Sequence, residues 1–232
     1  MVRLALAILL WATPAAAMEC RLALLLALDV SSSVDAEEDA LQRRGLARAL
    51  SSQDVQAAIL SVPGQSVALA VYEWSGRYQQ FVTLDWRLLS TSSDILTAAA
   101  DISGSRRPHR EYPTAIGYAI GYAAALFAKA PPCQARTLDV SGDGKNNEGF
   151  PPRLAYANFP LEDVTVNGLT IGGQSDDLAG YYLRELIRGP GAFVEEASDF
   201  ADFERAMQRK LVRETRALAI GMAPLAGAGS GG

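Results

Sequence analysis

Seven apolar residues, Leu22-Ala23-Leu24-Leu25-Leu26-Ala27-Leu28, run without a break into an acid, Asp29. Successive strand residues point to opposite faces. An unbroken apolar run of this length therefore belongs to a strand covered on both sides, as in the middle of a parallel sheet. Such a sheet needs crossover helices between its strands, and the rest of the chain supplies them. Asp35-Ala36-Glu37-Glu38 opens a helix with acids in its first turn, where they complement the helix dipole. Leu41, Leu46, Ala49 and Leu50 give that helix its apolar face. Residues 66–74 read as a second strand, which turns at Ser75-Gly76 into a hairpin partner over 78–84. Helices follow over 93–102 and from Thr114 to about Lys129, with Gly117 and Gly121 one turn apart for close packing on the sheet. Residues 137–141 and 164–171 read as strands, 177–188 as a helix, 192–195 as the last strand and 200–216 as the last helix. This alternation predicts an α/β domain with a mainly parallel sheet.

Both ends of the chain fall outside that pattern. Met1-Val2-Arg3, an apolar run and then Ala15 and Ala17 form the charged, greasy and small-residue pattern of a secretory signal, with cleavage after Ala17. The run is shorter than the ~20 apolar residues of a membrane span, and Pro14, Glu19 and Arg21 interrupt it. A lipoprotein signal at Cys20 is disfavoured by Glu19, which stands where a small residue is required. The expected organisation is a signal peptide at 1–17, one domain at 18–217 and a flexible Gly/Ala-rich tail at 218–232. The product is expected in the periplasm or outside the cell, with no membrane span.

Composition removes several functions. A net charge of −5 lacks the basic footprint of a nucleic-acid binder. One histidine and two cysteines are too few for multi-imidazole chemistry or a four-thiolate zinc site. There is no Gly-x-Ser-x-Gly elbow, no Walker loop and no Gly-x-Gly-x-x-Gly after a strand. What the chain has instead lies where strands end, the place where open α/β sheets bind ligands. Asp29-Val30-Ser31-Ser32-Ser33 closes the first strand, Thr114 opens a helix, and Asp143 ends another strand. Asp29, Ser31, Ser33, Thr114 and Asp143 are all oxygen donors. Two carboxylates with three hydroxyls suit Mg2+, or Mn2+ or Ca2+, rather than zinc or copper. Blander roles remain open: Ser31 and Ser33 as caps of the first helix, Thr114 as the cap of its own, Asp143 as a turn residue. Asp139 reads as a buried structural acid.

These residues resemble the von Willebrand factor type A (vWA) domain and its metal-ion-dependent adhesion site. Asp29, Ser31 and Ser33 match the Asp-x-Ser-x-Ser element, Thr114 the second-loop threonine and Asp143 the third-loop aspartate. The likeness is closer still to DUF1194, a family of uncharacterised exported bacterial proteins. It is carried by Leu28-Asp29-Val30-Ser31-Ser32-Ser33-Val34-Asp35-Ala36-Glu37-Glu38, Glu73-Trp74-Ser75-Gly76, Thr114-Ala115-Ile116-Gly117, Asp139-Val140-Ser141-Gly142-Asp143-Gly144-Lys145-Asn146-Asn147, Asn167-Gly168-Leu169 and Gly189-Pro190-Gly191-Ala192-Phe193-Val194. The second loop departs from the family, with Tyr112-Pro113 where many such domains have glycines.

The resemblance implies a three-layer α/β/α, Rossmann-like fold. Its six-stranded, mainly parallel sheet has one antiparallel edge strand. The implied function is not enzymatic: a divalent cation at the adhesion site bridges to a Glu or Asp of a protein partner. The alternatives are an exported structural domain with a degenerate site, or a metal-dependent hydrolase. Glu73, Trp74, Arg107, His109, Asn146 and Asn147 are expected on the rim that selects the partner, where a cationic loop (Arg106, Arg107, Arg110) steers an acidic ligand. If Asp29 and Asp143 end neighbouring strands, as the family's strand order implies, Cys20 and Cys133 lie at the opposite ends of those strands. The implication is a Cys20–Cys133 disulfide far from the metal face.

Overall fold

The computed structural model describes residues 19–108, 110–172 and 177–221. The proposed signal segment 1–17 and residues 222–232 of the tail lie outside the described residues.

The strand built on the apolar run is β1 (Glu19–Asp29). It is followed by α1 (Ala36–Ser51), α2 (Gln53–Ile59), β2 (Gln65–Trp74), β3 (Gln80–Leu89), α3 (Ser92–Gly104) and α4 (Ile116–Phe127). Then come β4 (Cys133–Gly142), α5 (Pro152–Asn158), β5 (Val164–Ile171), α6 (Leu178–Tyr181, running into a π-turn over Tyr182–Leu186), β6 (Val194–Ala197) and α7 (Phe203–Gly221). The sheet order is β3-β2-β1-β4-β5-β6, with β2 and β3 antiparallel at one edge and every other pair parallel. Strand order reverses at β1, between β2 and β4, so β1 is central.

The alternation of β1 explains its composition. Leu22, Leu24, Leu26 and Leu28 belong to a core with residues of α1, α3 and α7. Ala23, Leu25 and Ala27 belong to a second core with residues of α4, beneath Ile116, Ala119, Ile120 and Ala123. Both faces are covered, as the unbroken run requires. Arg21, fully buried, joins β1 to two helices: its guanidinium donates to the carbonyls of Ala58 (3.0 Å), Ile59 (2.8 Å) and Thr215 (2.9 Å). Two of those carbonyls belong to the end of α2, where the helix dipole favours a cation.

Cys20 pairs with Cys133 in the β1–β4 register, and the two form a disulfide with Cα atoms 4.5 Å apart. It closes a separation of 113 residues at the end of the sheet opposite Asp29.

Several details differ from the sequence reading. The short helices α2 and α5 carry too few residues for a clear period. The hairpin strand runs on to Leu89 and the last strand is shifted to Val194–Ala197. The last helix, read over 200–216, spans Phe203–Gly221. Gly117 and Gly121 do not serve the sheet. A Cβ on Gly117 would meet the Phe150 carbonyl at 2.0 Å, and one on Gly121 the Phe159 ring at 2.9 Å. The two glycines let the α5 layer approach α4 from its outer side.

Candidate metal centre

Asp29 ends β1 with its carboxyl almost wholly buried, 1% exposed. One oxygen, Oδ1, accepts from the Ser31 backbone N–H at 2.7 Å. The other, Oδ2, is buried with no hydrogen-bond partner. From there a chain of hydroxyls links three loops: Thr114 Oγ1 donates to Ser31 Oγ (3.3 Å), Ser31 Oγ and Ser33 Oγ are 3.2 Å apart, and Ser33 Oγ donates to Asp143 Oδ1 (2.7 Å). Ser31 and Thr114 are buried, Asp143 is half-buried and Ser33 is exposed, so the cluster opens to solvent at the Ser33 side. All five expected residues are thus brought together.

The blander roles are taken by other groups. Asp35 caps α1, accepting from the N–H groups of Glu37 and Glu38, with Glu38 reaching back to the Asp35 N–H. The serines are therefore not needed as caps. Helix α4 starts at Ile116 behind Ala115, which makes no side-chain cap, so the Thr114 hydroxyl turns to Ser31 instead.

Each loop is held from behind. The Arg107 guanidinium donates to the carbonyls of Val30 (2.6 Å), Ser31 (3.1 Å) and Val34 (2.7 Å), wrapping the serine loop around a fixed cation. Gln42 Nε2 donates to the Asp29 carbonyl at 3.0 Å, and Ser32 N–H donates to the Tyr112 carbonyl at 2.8 Å. Glu111, just before Tyr112, sits at φ 64°, a left-handed conformation uncommon for a side-chain-bearing residue and tolerated where the surroundings fix it. Asn147 Oδ1 accepts from Thr114 N–H (2.8 Å), while Asn147 N–H donates to the Thr114 carbonyl (3.0 Å). Asn146 Oδ1 accepts from Gly117 N–H at 3.2 Å in the first turn of α4. Gly142 makes room for the carboxylate: a Cβ there would lie 2.8 Å from Asp29 Oδ2 and 2.7 Å from the Tyr182 hydroxyl.

The electrostatics are those of two neighbouring acids, one of them buried, with Arg107 giving a smaller opposing pull. Burial first, and then the nearby Asp143, push the Asp29 carboxyl up to about 7. The Tyr182 hydroxyl, buried without a hydrogen-bond partner, is held well above its ordinary range by burial and then by Asp29. Among the described residues no three His, Cys, Asp or Glu side chains gather as metal ligands. The donor set is two carboxylates with three hydroxyls.

The expected rim needs correction. Glu73 and Trp74 are 1% and 0% exposed. Glu73 turns toward α1, where it pairs with Arg43 at 2.5 Å and accepts from Thr83 Oγ1 at 3.2 Å. Trp74 turns the other way, into the α4 core. Neither is available to a partner, because α1 and α4 cover both faces of the sheet up to its end. Arg107 is half-buried behind the serine loop, and Asn146 and Asn147 secure the α4 entrance. His109 lies outside the described residues.

Gln42, Arg43 and Tyr182 escaped the sequence reading. Gln42 stands four residues before Leu46 and eight before Leu50 on the buried stripe of α1, a spacing that marks a polar group in the core. Asp139 is buried, as expected, on the α7 side. Lys210 Nζ lies 3.2 Å from its carboxylate and 2.8 Å from Glu214.

Solved structures share this architecture. Proximal thread matrix protein 1 of the mussel byssus matches with a TM-score of 0.62 at 17% identity, over 87% of this chain and 49% of that one. A second structure of that protein, described as having a zinc-occupied MIDAS motif, matches at 0.57 and 16%, over 87% and 48%. A von Willebrand factor type A structure from Catenulispora acidiphila matches at 0.59 and 17%, over 84% and 43%. At these identities the likeness concerns the fold, and the chain spans about half the length of each. No protein of curated function matches. A family model described as "Protein of unknown function (DUF1194)" matches residues 19–219. The chain belongs to that family, and it has the vWA fold.

Proposed function

We propose that this chain is an exported binding module that holds a divalent cation with Asp29, Ser31, Ser33, Thr114 and Asp143 and presents it to a carboxylate of a protein partner. One observation carries the reading: three separate loops bring five oxygen donors together beside a buried carboxylate oxygen that has no hydrogen-bond partner among the described residues. A buried polar atom without a partner is costly, and a cation is the missing partner. The hard donors favour Mg2+, with Mn2+ and Ca2+ next. A bound cation supplies a positive docking point for the partner's Glu or Asp. The chain's own groups do the positioning. Arg107 and Gln42 hold the Asp29 loop, Asn147 holds Thr114, and the exposed Ser33 and half-buried Asp143 leave the outer side open. The zinc described at the mussel protein's MIDAS motif makes zinc a cation to compare. Residues 1–17 fit a cleaved signal, and the disulfide fits an oxidising compartment such as the periplasm.

Calorimetric titration and thermal unfolding with Mg2+ test this. At ~100 times Kd, a ligand of the folded state adds ~2.7 kcal/mol, which raises the melting temperature by roughly 5–10 °C in a chain of this size. Asp29→Ala abolishes the effect. An identical melting temperature in EDTA and in saturating Mg2+, Mn2+, Ca2+ or Zn2+ refutes the reading.

A further inference from the structure

Three open cavities share lining residues and join into one trough between α1 and α3. The first, of about 250 Å3, begins at Ser32 in the Asp29 loop and is lined by Asp39, Arg107 and Arg110. Those last three also line the second, of about 410 Å3, which extends to Arg44, Ser103 and Arg106. Arg44 and Ser103 in turn line the third, of about 370 Å3, whose floor is Ala47, Leu96, Ala99 and Ala100. The trough thus starts beside the metal centre and follows α1. That 16-residue helix is ~24 Å long at ~1.5 Å per residue. An extended peptide at ~3.3 Å per residue places roughly seven residues along it.

The charges of this trough run against those of the whole protein. Arg44, Arg106 and Arg110 are exposed and, among the described residues, have neither a hydrogen bond nor an ion pair. Other charged groups are engaged: Asp39 pairs with Arg43, the Asp35 carboxylate caps α1, Arg48 pairs with Glu204, and Arg107 clasps the serine loop. Glu111, at the metal end, is the acid left over. Six arginines, Arg43, Arg44, Arg48, Arg106, Arg107 and Arg110, against the three carboxylates of Asp35, Asp39 and Glu111 line the trough, a local positive stripe on a chain of net charge −5. Below it, small alanines leave room for a main chain and Leu96, 47% exposed, offers an apolar contact.

We propose that the trough binds an extended acidic segment of the protein partner. Its carboxylates lie on Arg44, Arg106 and Arg110, and its leading acid is delivered to the metal centre. Guanidinium forks match carboxylates in geometry as well as charge. The trough itself stands on its own charges and shape; only delivery to the cation rests on the metal-binding reading.

Fluorescence anisotropy with a labelled octapeptide of alternating Glu and Ala, against a Lys/Ala peptide of equal length, provides the test. The acidic peptide binds and the basic one does not. Arg44→Ala/Arg106→Ser/Arg110→Ser weakens binding about tenfold, as expected for three exposed ion pairs, and flattens its salt dependence. The variant keeps the wild-type circular dichroism, since all three side chains are exposed. Affinity and salt dependence that ignore the three arginines overturn the proposal. So does an acidic peptide that fails to bind the wild type. Binding of phosphatidylserine vesicles without peptide binding, or a dimer that the triple variant dissolves, gives the trough to another occupant and also overturns it. The two readings fail separately. Arginine-dependent binding that ignores Mg2+ and Asp29→Ala sinks delivery to the cation but keeps the trough, and the metal centre stands or falls by thermal unfolding with the cations. Thermal stabilisation by Mg2+ with inert arginines does the reverse.

Discussion

Two pairs of acids flank β4 and its end, and they meet the cost of burial in opposite ways. Asp139 and Glu214 have Lys210 between them, with its ammonium 3.2 and 2.8 Å from the two carboxylates. Asn167 Nδ2 adds a hydrogen bond to Glu214 at 2.7 Å. Burial works against the lysine's charge, but the two acids outweigh it and hold Lys210 above its ordinary range. Asp29, at a strand end, has a second acid, Asp143, as its stronger neighbour, and Arg107 acts on it more weakly from behind the serine loop. Asp29 Oδ2 has no hydrogen-bond partner among the described residues, Asp29 Oδ1 accepts from the Ser31 N–H, and Asp143 accepts from the Ser33 hydroxyl. The first pair holds a cation of the chain's own between its carboxylates, although Asp139 Oδ2 and Glu214 Oε2 are also buried without hydrogen-bond partners among the described residues; the second is the pair we propose a bound cation closes. Similar carboxylates thus form a structural staple where α7 supplies the cation and, in the proposed function, a receptor for a cation from outside.

The largest predicted effect breaks the closed pair. Lys210→Met removes the cation between Asp139 and Glu214 and leaves the two buried carboxylates facing each other. Removing one partner of a buried ionic cluster costs ~3–5 kcal/mol, to be read from urea unfolding. Removing the charges together, as Lys210→Met/Asp139→Asn/Glu214→Gln, recovers most of the loss. A single variant within ~1 kcal/mol of wild type, the range of an exposed pair, means that the cluster is not the staple described.

The open pair predicts a pH dependence that Mg2+ reverses. The folded Asp29 carboxyl is raised to about 7, so the metal-free folded state binds its proton more tightly than the unfolded chain does. Its contribution to stability is fully present below the unfolded value near 4 and is lost as pH rises toward 7. In Asp29→Asn that loss is absent, and its stability gains on the metal-free wild type over this interval. Asp139, raised by burial to about 7, is common to both proteins and drops out of the difference. With saturating Mg2+ the wild type behaves the other way: stabilisation grows from pH 4 to 7 as the proton is displaced, while Asp29→Asn does not respond. Thermal unfolding of both proteins across this range, with and without Mg2+, measures it. Parallel curves for the two proteins remove the distinction between an open and a closed pair.

How far the sequence shows this contrast depends on the range of each interaction. The two-sided burial of β1 is local, because seven consecutive residues carry it, and the Asp-x-Ser-x-Ser loop follows directly. The order of strands, known through resemblance, places Cys20 opposite Cys133, and the register bears the pairing out. Faces are harder to read. Alternation separates Glu73 from Trp74, yet it does not show that α1 and α4 reach the end of the strand and bury both. Partners distant in sequence leave no pattern. Nothing around Asp139 points to Lys210, seventy-one residues on (210 − 139), and nothing in the cationic loop shows that Arg107 folds back onto main-chain carbonyls while Arg44, Arg106 and Arg110 stay free of ion pairs. Locally Thr114 fits a helix cap as well as a ligand; only the resemblance set it beside Ser31, the partner of its hydroxyl, eighty-three residues away.

The smallest effect tests whether the open site is held in shape before a cation arrives. Asn147 Oδ1 accepts from the Thr114 N–H at 2.8 Å, and the Asn147 main chain donates back to the Thr114 carbonyl. Asn147→Ala removes only the first of these. Asn147 is itself exposed, so water reaches the freed N–H, and the loss of stability is that of one ordinary hydrogen bond, ~0.5–1.5 kcal/mol. The Mg2+ affinity is the more telling readout. If Asn147 fixes the Thr114 hydroxyl for the cation, affinity falls by several-fold, the size of effect that groups orienting metal ligands produce at the low end, and Asn147→Asp restores part of it through the same acceptor. A loss of stability with unchanged Mg2+ affinity instead shows a threonine loop that the cation itself organises, and a receptor assembled on binding.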